Sequence, residues 1–339
     1  MKHYGGIDVS LELSSVCVMD GEGKIVGEAR VASEPLALME WFGSLGFSVE
    51  RIGLEAGPLS QWLYAAMKDG GFAVELLETR HVRAAFNTMP VKTDRGDARG
   101  IAHLVRLGWF RPVYCKTLCA QEVRAELTAR KLVQSKLHDV QMSLRGILRG
   151  FGFKVGATTT AKFEIRITEL VGGHPTLKAI AQSLLSVHAA LARELRAFQR
   201  RILVMAREDA RVRLLMSTPG VGPIVALTYV SAIDDPSRFS SSKMVGPHFG
   251  LTPKRYQSGE RDVSGRISKI GDKQVRTALY EAANVILTRP VKASALKSWA
   301  MKIAKRAGMK KAKVALARKL AVVLHRMWVD GKPFRAQPA

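Results

Sequence analysis

Short apolar blocks bounded by turn residues fill the first eighty positions, and apolar residues at helical spacing fill most of the rest. "YGGIDV" at 4–9 predicts a short strand. "SSVCVMD" and "KIVGEARV" flank the Gly-bearing turn "GEGK" and predict a hairpin. "EPLALMEWFGSLG" carries helical spacing and stops at Gly46. "VERIGLEA" reads as the next strand, and "LSQWLYAAMKDGG" as a helix ended by Gly70 and Gly71. "FAVELLE" is a further strand, and from Thr93 a helix runs through "DARGIAHLVRLG".

A strand, an antiparallel hairpin and then strand–helix alternation is the order of ribonuclease-H-like domains, with a mixed sheet covered by helices. The middle of the chain changes period. From about Gln121 to Arg149, Val133, Leu137, Val140, Leu144 and Ile147 recur at alternating steps of four and three. After a Gly-rich break around 150–175 the pattern returns with Ile180, Leu184, Val187, Leu191, Leu195, Phe198, Ile202 and Met205. This predicts two long antiparallel helices of coiled-coil type, paired within the chain or with another copy. In the last third, "PGVG" between two apolar helical stretches predicts a helix–hairpin–helix turn. Gly220 and Gly222 would permit its tight backbone and offer amides to a DNA phosphate. The expected fold class is α/β plus α. Its domains are a ribonuclease-H-like domain over 1–118, oligomerising helices over 119–206, and a mostly helical C-terminal domain over 207–339.

Charge then changes the picture. The chain carries 53 Lys and Arg against 29 Asp and Glu, a formal net charge of +24. Residues 289–335 alone hold fourteen Lys or Arg and one acid, Asp330. Such a surplus repels itself in a compact fold unless a polyanion neutralises it, and a nucleic-acid backbone is the fitting partner. No apolar run approaches the roughly 18–20 residues of a membrane span, and the N-terminus does not read as a signal peptide. Three cysteines, Cys17, Cys115 and Cys119, are too few for a disulfide framework, and no second ligand pair follows Cys115 and Cys119 for zinc. A cytoplasmic protein with access to DNA and RNA is expected.

Four acids stand out together. Asp8 and Glu55 end strands, and Asp94 and Asp97 lie three apart at a helix start, on one face. In a ribonuclease-H-like sheet the first and fourth strands are neighbours with a late helix beside them, which would gather all four. Carboxylates crowded this way resist joint ionisation without a cation. Two Mg2+ ions about 3.5–4 Å apart would offset the repulsion and clamp both oxygens of a phosphoryl transfer. Singly, each acid also reads as an ordinary helix cap or solvated strand end.

The second candidate centre is "GLTPKRYQSGERDVSGRISKIGDKQVR", read as an exposed loop. Ser258, Ser264 and Ser268 sit there among Lys254, Arg255, Arg261, Arg266 and Lys269, which could hold phosphates. A serine here could attack a phosphodiester, or could merely donate hydrogen bonds to one. Lys310, Lys311 and Lys313 in the last basic region are further nucleic-acid contacts.

Taken in order, "GIDVS", "GLEA", "VKTDRGDARGIAHLVRLG", "TPGVGP", "GLTPKRYQSG", "ISKIGDKQVRTALYEAA" and "ARKLAVVLHRMWVDGKPF" resemble the DEDD transposases of the insertion-sequence one-ten family, which includes the Piv-type invertases. The resemblance spans essentially the whole chain. It implies a RuvC-like domain whose metal-binding acids are Asp8, Glu55, Asp94 and Asp97. It implies a coiled-coil middle and a C-terminal domain whose nucleophile is Ser258. It also implies a bridge RNA that chooses donor and target DNA, and a dimer or tetramer with sites shared between subunits. Rival readings are a four-way-junction nuclease using water, a site-specific invertase, an actin-like ATPase suggested by "GIDVS", and a DNA-binding protein without chemistry.

Overall fold

The structure, a computed structural model, describes residues 1–87, 92–291 and 293–336. Val91, which opens the "VKTDRGDARG" motif, and Lys292 of the basic run lie outside the described residues. The chain divides into two compact units, Met1–Lys116 and Thr117–Ala339.

The first unit is built on a five-stranded sheet. Its strands are β1 (His3–Asp8), β2 (Leu13–Asp20), β3 (Ile25–Ala32), β4 (Arg51–Glu55) and β5 (Val74–Leu77), in the order β3-β2-β1-β4-β5. β1, β2 and β3 pair antiparallel, while β4 and β5 continue parallel to β1, as the order of elements predicts. Helices α1 (Pro35–Gly43), α2 (Ser60–Asp69), α3 (Thr79–Phe86) and α4 (Asp94–Arg106) complete the unit.

Strand alternation sorts the side chains between two faces. Ile7, Val16, Val18, Ile52 and Leu54 turn to the side of α1 and α2, where Leu38, Phe42, Leu63 and Met67 meet them. Cys17 and Met19 turn to the opposite side and pack with Ala98 and Ala102 of α4. Each fully buried Leu, Ile or Phe in these layers contributes about 1.5–3 kcal/mol. The α4 side of β1 and β4 is lined by Gly6 and Gly53, which pair in register. A Cβ on Gly6 would stand 2.3 Å from the Ala98 oxygen and from the Ala102 nitrogen. One on Gly53 would stand 2.4 Å from Val105 Cγ2. α4 therefore lies directly on bare backbone.

The second unit is mostly helical. Helices α5 (Leu118–Gly150), α6 (Thr160–Leu170) and α7 (Pro175–Glu208) come first. Arg201 Nε reaches Glu126 Oε1 at 2.7 Å and Gln141 Nε2 lies 2.9 Å from His188 Nε2, so α5 and α7 run antiparallel. The predicted stripe is kept at Leu144 and Ile202, which are buried. Toward the far end it rotates: Ile147, Ile180 and Val187 are 36%, 39% and 48% exposed, while Leu148, Ala181 and His188 are buried. The cause is α6, inside the stretch read as a Gly-rich break. Its Phe163 and Ile167 pack with Leu144, Leu148, Leu177, Ala181 and Leu185, and so redefine the inward face.

Helices α8 (Ala210–Met216) and α9 (Pro223–Ile233) follow, joined by the "STPGVG" turn. α9 is buried from Ala226 to Ile233 and is the axis of the largest core, among α11 (Lys273–Thr288) and α13 (Met309–Asp330). Two 3-10 turns, α10 (Val245–His248) and α12 (Ala295–Ala307) complete the helical frame. The segment read as a serine loop is instead a two-stranded ribbon, β6 (Pro253–Ser258) and β7 (Arg261–Ile267). Gly and Ser made it look irregular, but the successive residues Arg255 to Ser258 pair with Ser264 to Arg261 across it. No helix among the described residues is long and apolar enough to cross a membrane.

Candidate active site

The same pleat that gives Gly6 and Gly53 to α4 gives it Asp8 and Glu55, two residues further on. Ile7 pairs with Leu54 across parallel strands, so the two carboxylates leave adjacent strand ends on one face. Both are half-buried. The first turn of α4 brings Asp94 and Asp97 to this end of the sheet. Capping is done by Thr93, whose hydroxyl accepts the Gly96 amide at 3.0 Å, so neither aspartate is needed as the cap.

Electrostatics couple Asp8 to the other three acids. Burial, then the charges of Asp97, Asp94 and Glu55, push the Asp8 carboxyl up to about 6. Burial and Asp97 also raise Glu55, against a hydrogen bond from Thr79. Lys92 Nζ stands 3.9 Å from Asp97 Oδ2 and offers partial compensation. Among the described residues, no three His, Cys, Asp or Glu side chains are drawn together at metal-ligand spacing. The donor set is nevertheless the right chemistry for a hard divalent cation: four carboxylates, no sulfur, and mutual repulsion that a cation would relieve.

Ser258 ends β6, at the tip of the ribbon, and pairs with Arg261 across the Gly259–Glu260 turn. Gly259 takes φ +54°, which its lack of a Cβ allows. Every residue of β6, Ser258 included, is exposed. Ser264 faces Arg255 in mid-ribbon, and the Ser268 hydroxyl accepts the Ile270 amide at 3.4 Å near the base. The base itself is tightly built. Cβ atoms on Gly250 or Gly271 would meet the Ile270 and His248 oxygens at 2.0 and 2.2 Å. Arg276 Nη1 donates to the carbonyls of Phe249 and Gly271, at 3.1 and 2.9 Å. Lys269 beside it adopts φ +56°.

Residues 212–298 match the family described as "Transposase IS116/IS110/IS902 family", and residues 5–153 match the DEDD transposase domain of the same group. The chain belongs to this transposase family. The "Transposase for insertion sequence element IS1111A" of Coxiella burnetii is 27% identical over 337 residues, 97% of this chain and 90% of that protein. The "Transposase for insertion sequence element IS1328" of Yersinia enterocolitica is 28% identical over 115 residues, 34% of each chain.

In this transposase the matched region 5–153 contains all four acids and the matched region 212–298 contains the ribbon. Gly220 takes φ +78°, and a Cβ there would meet the Ala282 oxygen of α11 at 2.8 Å. Gly222 precedes α9 with open space around its Cβ position. Lys310 and Lys311 are exposed on the first turn of α13, and Lys313 Nζ lies 6.0 Å from the Tyr280 ring. Lys254, Arg261 and Arg266 are exposed on the ribbon, where Arg255 is bound to Asp262 at 2.6 Å.

Sequence reasoning missed a second layer beside the acids. Glu28 on β3 accepts Arg95 Nε at 2.8 Å and Arg99 Nη2 at 2.8 Å. Hydrogen bonds from Arg99 and then Arg95 outweigh burial and hold the Glu28 carboxyl down at about 2. Arg95 lies between Asp94 and Asp97 in sequence, so this clamp anchors the turn that carries both. A cleft of about 510 Å³ opens here, lined by Ser15, Glu28, Arg30, Thr93, Asp94 and Arg95. The glycines two residues before Asp8 and Glu55 were a readable signal of helix approach. The Glu28 clamp had none, because 67 residues separate it from Arg95.

Proposed function

We propose that this chain cuts and rejoins DNA at two cooperating centres, Asp8–Glu55–Asp94–Asp97 and Ser258. The observation that carries the reading is the placement of Asp8 and Glu55 on adjacent strand ends, with the α4 turn that bears Asp94 and Asp97 at the same end of the sheet. Burial, then the charges of the other three acids, push Asp8 up to about 6. A cluster this costly is retained where it has a chemical use. Asp8, Glu55, Asp94 and Asp97 would hold Mg2+, which when bound polarises a phosphate and stabilises the oxygens entering and leaving it. Glu28, through Arg95 and Arg99, keeps the α4 turn in register with the strand ends.

At Ser258 the hydroxyl oxygen bonds to phosphorus as one phosphodiester P–O bond breaks. The serine proton passes to a base, and the departing deoxyribose oxygen takes up a proton. A second DNA hydroxyl then attacks the serine ester, reforming a phosphodiester and returning the serine. Arg261, opposite Ser258, is suited to the phosphate's negative charge. The facing ribbon position is Arg261, neither His nor carboxylate, so the base would come from another position. The Gly220–Gly222 turn, Lys310, Lys311 and Lys313 would hold nucleic-acid backbone, with a guide RNA selecting the sites. The exposed Ile180 and Val187 on α7 favour a homo-oligomer.

Trapping of covalent protein–DNA product tests this. Wild type, with Mg2+, candidate RNA and DNA carrying the element's joined ends, should give a DNA-linked band absent from Ser258→Ala and Asp97→Asn. Nicked product without a linked band, unchanged by Ser258→Ala, would replace this reading with a nuclease or invertase using another nucleophile.

A further inference from the structure

The two faces of the β6–β7 ribbon differ in chemistry. Directly paired residues of an antiparallel ribbon point to the same side, and so do alternate residues of one strand. Ser258 and Arg261 form one pair, Tyr256 and Val263 the next on the same side. Lys254 follows on that side, where a Cβ on Gly265 would meet its own Cβ at 3.9 Å. The other side holds Gln257, Ser264 and the Arg255–Asp262 ion pair, where opposite charges cancel. The serine side therefore carries two cations, Lys254 and Arg261. Neither has an ion-pair partner among the described residues, and no acid stands at a strand position on this side.

Between these cations stands an aromatic ring that the fold does not use. Tyr256 is 64% exposed and Val263 45%. A two-stranded ribbon is marginally stable alone, and this one is held at its base by the Gly250 and Gly271 contacts, with its tip free. An exposed ring flanked by unpaired cations is the arrangement by which proteins grip single-stranded nucleic acid: bases stack on the ring while cations follow the phosphates.

We propose that Tyr256 stacks on an unpaired base of the DNA strand bound at Ser258, with Lys254 and Arg261 on the flanking phosphates. The proposal rests on Ser258 facing the scissile phosphate. The two-residue step from Ser258 to Tyr256 spans about 6.8 Å, which is about two nucleotides at 3.4 Å each along a strand. The stacked base is then one or two nucleotides from the attacked phosphate. Tyr256 acts as a positioning residue, pinning the strand so that its phosphate meets the serine oxygen.

The test uses the full chain and a short single-stranded DNA bearing 5-iododeoxyuridine, which photocrosslinks to stacked aromatic rings. Salt is set high enough to suppress binding through the basic C-terminal helices. Crosslinked peptide should contain Tyr256. Tyr256→Ala should weaken binding about tenfold, in the range one stacked base contributes, while Tyr256→Phe and Gln257→Ala, on the opposite face, bind as wild type. Circular dichroism of each variant should match wild type, since these side chains are exposed. Crosslinks elsewhere, wild-type binding by Tyr256→Ala, or equal loss in Tyr256→Phe would overturn the proposal. Ser258→Ala separates the two readings. A covalent DNA product persisting in that variant removes the serine chemistry, while the crosslink at Tyr256 still reports the stacking.

Discussion

Gly6 and Ala102 are in backbone contact across the sheet–helix interface: a Cβ on Gly6 would stand 2.3 Å from the Ala102 nitrogen. This one missing methyl lets α4 lie close enough to the sheet for its first turn to reach Asp8 and Glu55. Gly53, beside Gly6 in register, serves the same helix at Val105.

Gly6→Ala should therefore push α4 away from β1. Overpacking of this kind costs about 1–3 kcal/mol, read as a lower urea midpoint with unchanged slope. DNA cleavage should fall further than stability does, because Asp94 and Asp97 move with the helix. A variant as stable and as active as wild type would show that the helix does not need this approach.

Asp8→Asn should abolish cleavage and rejoining yet leave the metal-free protein as stable as wild type or more so. The raised Asp8 pKa means its charge is disfavoured in the folded state, so removing that charge relieves the cost of its burial and then its repulsion by Asp97, Asp94 and Glu55, by about 1 kcal/mol after solvent screening. Mg2+ should raise the wild-type melting temperature and raise that of Asp8→Asn less. Equal shifts in both proteins would place the ion elsewhere.

Glu28 predicts an acid-sensitive contribution. Its folded pKa of about 2 lies below the ordinary 4.5, so its stabilisation is present above pH 4.5 and lost as pH falls toward 2. Arg95 and Arg99 are 69% and 41% exposed, which limits the contribution to about 1 kcal/mol. Denaturant unfolding of Glu28→Gln should show that deficit at pH 5 and a smaller one at pH 3. A constant deficit across this range would mean the clamp is not electrostatic.

Lys310 and Lys311 are exposed on α13 without ion-pair partners among the described residues. Replacing both by Ala should lower the slope of log affinity against log salt by about 1.4–1.8, from about 0.7–0.9 per phosphate contact. Fold and metal response should stay unchanged. An unaltered slope would remove these lysines from the nucleic-acid surface.

The sequence alone determined the order of strands and helices in the first unit except α3, which is not read between "FAVELLE" and Thr93, because strand alternation and helix caps are local signals. It also showed that Asp8 and Glu55 end strands and that Asp94 and Asp97 open a helix, and where the positive charge lies. Only the tertiary structure decided which face each acid uses, because the pleat has two faces and only the packing of α4 on Gly6 and Gly53 makes one of them the site. The seam of α5 and α7 was decided the same way. Its heptads were legible, but α6 rotates the buried stripe from Ile180 and Val187 to Ala181 and His188. The Glu28 clamp and the two-sided ribbon were likewise invisible in sequence. One joins residues far apart along the chain, and the other is hidden by Gly and Ser residues whose pairing becomes apparent only across the strands.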